Sequence, residues 1–138
     1  MAKIDESISK DAIKAEYFDL SENLRHWGNL RFHSLTVFIA VMGGLFALLS
    51  QSGLIISSIM LIVLKFMGVV IVIIFWIMDE RIFLYWSSGI ERIRLLEKEL
   101  DFRQFSNFPH RGFITSRNAV RLLFMVFCVF WIFFIFDL

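Results

Sequence analysis

The chain has 138 residues, 58% of them hydrophobic, with 17 phenylalanines and a net charge of +1. A soluble domain of this size needs more polar surface than that, and so small a charge argues against a basic nucleic-acid surface. The lone cysteine, Cys128, has no second thiol in the chain to pair with and reads as a small apolar core residue.

Residues 4–30 are expected to form a helix outside the membrane. Ile13, Tyr17, Leu20, Leu24 and Trp27 recur every three or four positions as one apolar stripe, with acids and lysines on the other faces. Only Gly28 is a weak helix former before the first apolar run, so this helix is expected to lead straight into the first span. About thirty residues precede that run, too many for the charged region of a secretory signal, so no cleaved leader is expected.

Three apolar runs come next. "SLTVFIAVMGGLFALLS" centres a first span over 32–51, and the run from Leu54 to Met78, with Lys65 as its one charge, makes a second over 54–79. "LLFMVFCVFWIFFIF" centres a third over 117–137. Each approaches the roughly 20 residues that cross a bilayer as helix. Helices satisfy their own backbone in lipid, so the expected fold is all-α: an integral membrane protein of three transmembrane helices in a single membrane domain. Between the first two spans the link "SQSG" is tight and implies a hairpin. With its tip between Ser52 and Gly53, residue counting levels Lys65 with Ala40, about 18 Å from the tip at 1.5 Å per residue. The same counting levels Asp79 with His26 and Glu80 with Arg25.

Beyond the second span, residues 80–103 continue as an amphipathic stalk, with Ile82, Trp86, Gly89, Ile93, Leu96 and Leu100 on one stripe. The two stripes can pack on each other as an antiparallel pair, on copies of themselves, or flat on lipid headgroups. Residues 104–115 form a loop holding Pro109, and Thr115 or Ser116 offers an N-cap for the third helix. Lysines and arginines cluster before the first span and between the second and third, with none in the short link or the tail. That asymmetry predicts a cytoplasmic N-terminus and an external C-terminus.

Four groups of residues could carry function. Lys65 comes first, because a charge near the bilayer centre is costly and seldom incidental. No acid within a span can neutralise it, and Asp137 is the only acid near the outer side. It can face water in a pore built from several copies, surrender its charge to desolvation, or snorkel to phosphates. Second, Thr36, Ala40, Gly43, Gly44 and Ala47 give the first span a small-residue face, expected to pack within the chain or against other copies. Third, Arg25, His26, Arg31, Asp79, Glu80, Arg81 and Arg121 are expected to form an ion-pair network at the inner boundary, with a proton or ion relay as the sharper alternative. Fourth, Trp27, Phe75, Trp76, Tyr85 and Trp86 fit an interfacial aromatic belt. Arg103 and His110 have the loose spacing of HEPN-type ribonucleases, but the proline loop between them departs from that family's helical setting. His26, His33 and His110 are too scattered to ligate a metal, no phosphate-binding glycine motif is present, and neither enzyme activity nor a cofactor is expected.

The hairpin over 34–103, "SLTVFIAVMGGLFALLS" and the second span followed by "ERIRLLEKEL", resembles SLATT-type membrane effectors found beside bacterial antiphage defence genes. The third span departs from their two-span pattern. The resemblance implies a homo-oligomeric pore in a bacterial inner membrane that permeabilises it during defence. The expected partners are membrane lipids, other copies of the chain and a possible cytoplasmic protein docking on the stalks. A non-conducting anchor or accessory subunit is the rival.

Overall fold

A computed structural model describes residues 2–50, 57–107 and 115–136, with side chains from Lys10 onward. Asp137, His110, Pro109 and the link at 51–56 lie outside the described residues. The protein is all-α: α1 runs Ala2–Ser50, α2 Ser58–Leu100 and α3 Ser116–Phe136. All three are long and apolar enough to cross a bilayer. Gly28 does not interrupt α1, which contains no proline. Side-chain hydroxyls start the other two helices. Ser57 Oγ accepts the Met60 N–H at 3.3 Å, and Thr115 Oγ1 accepts the Asn118 N–H at 3.3 Å, each relieving an otherwise unpaired donor in the first turn.

Where the sequence reads as one membrane domain, the chain divides into two compact units, Met1–Arg31 with Ile82–Arg111 and Phe32–Arg81 with Gly112–Leu138. In the first unit the two amphipathic stripes meet as an antiparallel pair. Tyr17, Leu24, Ile90, Ile93 and Leu96 are its buried core, flanked by Ile13, Leu20, Trp86, Leu100 and Phe105. Gly89 lets the helices close: a Cβ there would meet Leu24 Cδ2 at 2.8 Å. Trp27 stacks on Tyr85 with ring centres 5.3 Å apart, and Arg92 pairs with Glu16 at 2.7 Å on the surface.

The α2 helix stops at an Asp101 with φ of 55°, a left-handed residue closing the last turn. Phe102 N–H reaches back to the Glu97 carbonyl at 3.0 Å, the six-to-one bond of a Schellman end. The Glu97 carboxylate then ties the chain beyond the helix back onto it. It is 0% exposed and accepts the Phe105 N–H at 2.7 Å, the Ser106 N–H at 2.8 Å and the Ser106 hydroxyl at 2.6 Å. Tyr17 hydroxyl approaches the same carboxylate at 3.4 Å. Burial pushes the Glu97 carboxyl upward, but these donors outweigh it and hold it below the usual carboxylate range. Burial, and then the charge of Glu97, push the Tyr17 phenol upward.

In the second unit Phe38, Met42, Leu45, Val72, Phe124 and Trp131 form the core. Helices α2 and α3 run antiparallel. From one end to the other, Glu80 bonds Arg117 and Arg121, Trp76 stacks on Phe124, Gly68 meets Trp131, and Lys65 stands over Phe134. Gly68 has no tolerance for a side chain, because its Cβ would enter the Trp131 ring. From α1, Phe38 packs against Phe75 and Phe124, and Phe46 stacks on Trp131 at 5.2 Å.

Candidate functional site

The register of α1 on α2 corrects the expected depth of Lys65. With Phe38 beside Phe75, Lys65 comes level with Leu48, about two helical turns along α1 from the expected Ala40. By the same register Asp79 and Glu80 come level with Ser34 and His33 instead of His26 and Arg25. Helix α2 begins at Ser58, capped by Ser57, not at Leu54 as the tight link suggests. Lys65 is therefore about 10 Å along α2 from Ser58, and Phe134 is near the end of α3 at Phe136. It lies toward one end of the second unit, not at its middle.

Its side chain is turned into its own chain. Lys65 is 4% exposed, and Nζ stands 4.6 Å from the centre of the Phe134 ring. No hydrogen bond or ion pair joins it to any described residue. A cation over a ring contributes about 0.5–2 kcal/mol. A charge held in lipid costs at least a few kcal/mol, so Phe134 alone does not offset the burial of Lys65. Phe134 also lines a groove of about 420 Å³ together with Phe130, Phe133 and Phe136.

The small-residue face of α1 points away from the core. Phe38, Met42 and Leu45 face inward, whereas Thr36, Ala40, Gly43, Gly44 and Ala47 are all exposed. A Cβ built on Gly43 or Gly44 would meet nothing within 4 Å. Packing of these glycines within the chain is thus not what the structure contains. The Thr36 hydroxyl is satisfied by the Phe32 carbonyl at 3.0 Å, so it adds no unpaired donor to this face.

Within the expected inner-boundary network, Glu80 and Arg121 are joined directly. Glu80 takes a bond from Arg121 Nη2 at 3.0 Å and one from Arg117 Nη2 at 2.8 Å, and Arg121 Nε also bonds it. Asp79 is buried, and its charge acts on Arg121. Arg81 is exposed. Arg25, His26 and Arg31 belong to the first unit, where Arg31 stands 5.6 Å over the Phe83 ring and the His26 ring lies 6.2 Å from Trp27. Sequence reasoning missed Arg117 as a member; its place one turn before Arg121 was the available signal. It also missed Glu97, which looks like any other charge in "ERIRLLEKEL" until the loop folds onto it.

Among the described residues no group of histidines, cysteines and acids could hold a metal ion. The free Cys128 is partly buried against the core of the second unit. The chain matches no protein-family model, no curated protein and no solved structure.

Proposed function

We propose that the chain is a homo-oligomeric, multi-pass membrane protein that forms or gates a pore. The observation that carries this reading is the exposed face of Ala40, Gly43, Gly44 and Ala47 on α1, which has no packing role inside the chain. Small residues let helix backbones approach closely in lipid, where dispersion and polar contacts drive association. Copies joined through this face put several α1 helices side by side, and its glycines and alanines leave room for them to slide during gating. Lys65 is turned into its own chain and does not line the lumen in this arrangement. The positive-inside asymmetry assigns the first unit to the cytoplasm. The resemblance to SLATT-type effectors adds the setting, a bacterial inner membrane, and the outcome, permeabilisation during defence.

The test is dye release from liposomes holding the purified full-length protein. Wild type releases the dye and is oligomeric, and the Gly43→Ile/Gly44→Ile double variant does neither while keeping its helix content. The open space at both glycines means that the variant still folds. A monomeric wild type, or full release by the double variant, counts against the reading.

A second reading is favoured by a separate observation. Phe18, Leu84 and Leu95 are exposed on the helical pair of the first unit. They suit a non-conducting anchor that docks a cytoplasmic protein through this unit. A 1:1 complex with another protein, in place of a ring of copies, would favour it.

A further inference from the structure

We propose that Lys65 and the phenylalanine-lined groove beside it form a binding site for one acidic phospholipid. Two independent features share a single side chain. The Lys65 ammonium stands over Phe134, and Phe134 is part of the wall of an apolar groove with Phe130, Phe133 and Phe136. No described residue supplies an anion to the ammonium, and a wall of four phenylalanines suits an apolar chain. A lipid with a monoanionic phosphodiester head carries both, joined by its glycerol.

Depth and access agree with this occupant. Lys65 is about two turns into α2, and Phe134 is beside the end of α3, so a headgroup reaches the site with a modest descent. Phe133 and Phe136 are strongly exposed and flank the groove for an acyl chain. Lys65 keeps 4% of its surface exposed, in contrast to Trp131 at 0%, whose Nε1 is buried and unpartnered. Charge complementarity selects an acidic headgroup over a zwitterionic one, whose own ammonium would oppose Lys65. A basic side chain held at a membrane surface favours an acidic lipid by about fivefold. The site does not depend on whether the assembly conducts, because all of its described residues belong to one chain.

Native mass spectrometry of the full-length protein in a mild non-ionic detergent tests the proposal. The probe is an equimolar mixture of phosphatidylglycerol and phosphatidylcholine with identical acyl chains. Wild type is expected to carry about fivefold more phosphatidylglycerol adduct. Lys65→Leu, which removes the charge and keeps the bulk, brings the two adducts to near equality, and Lys65→Arg restores the preference. Equal adducts on wild type overturn the site. So does a preference that survives in Lys65→Leu, since it would belong to other basic residues, among them Arg81, Arg117 and Arg121. A parallel sample with sodium phosphate in place of lipid distinguishes a site for a free anion. Retained phosphate on wild type but not on Lys65→Leu, without lipid preference, also overturns the proposal.

Discussion

Among single residues, Glu97 illustrates how a charge can hold a fold together. Its carboxylate takes donors from two backbone amides, a serine hydroxyl and a tyrosine, all within the first unit. Hydrogen bonds to a charged group contribute about 1.5–3 kcal/mol each, and unpaired amides left behind would add to the loss. Glu97→Ala should therefore destabilise the unit by about 3 kcal/mol or more, measurable by denaturant unfolding in detergent. The pH dependence has a definite sign. Folding lowers the Glu97 pKa, so its stabilisation is complete above the ordinary carboxylate value and is lost as pH falls through the folded value. Acid should loosen wild type more than the Glu97→Gln variant, read as helix content against pH. A second residue-scale case lies in the other unit. Gly68→Val would drive a side chain into the Trp131 ring and should cost about 1–3 kcal/mol or shift α3. Gly43→Val, on the open face, should cost the isolated chain far less.

Single elements separate what is legible in a sequence from what is not. The helices are legible because apolar residues recur at helical spacing and the spans have membrane length. The stripe of Ile13, Tyr17, Leu20 and Leu24 and that of Trp86, Ile93, Leu96 and Leu100 do meet, because each has only one face to bury. Register was not legible. It is set by which side chains of the two helices pack together, Phe38 on Phe75 among them, and a count from "SQSG" does not contain that. Rotation was not legible either. The small face of α1 could have met α2 or α3, and the structure turns Phe38, Met42 and Leu45 inward instead, where large side chains bury more surface. Nor was the end of α2 legible, since aspartate is an uncommon residue at a left-handed helix end. Asp101→Gly should relieve that conformation and raise the thermal stability of the unit by up to about 1 kcal/mol, provided the Schellman bond from Phe102 remains.

For the whole molecule, the exposed face of α1 and the internal Lys65 point in the same direction. The second unit buries Phe38, Phe124 and Trp131 and leaves Gly43 and Gly44 on an open face. In the proposed assembly, association should depend on residue size at Gly43 and Gly44 and scarcely on the charge of Lys65. The most direct measurement is the copy number of the full-length protein in lipid nanodiscs, by single-molecule photobleaching, for wild type and for Gly43→Ile/Gly44→Ile. The account predicts a fixed number of several copies for wild type and single copies for the double variant, with helix content unchanged. A wild type that is monomeric, or a double variant that keeps the full copy number, would contradict it.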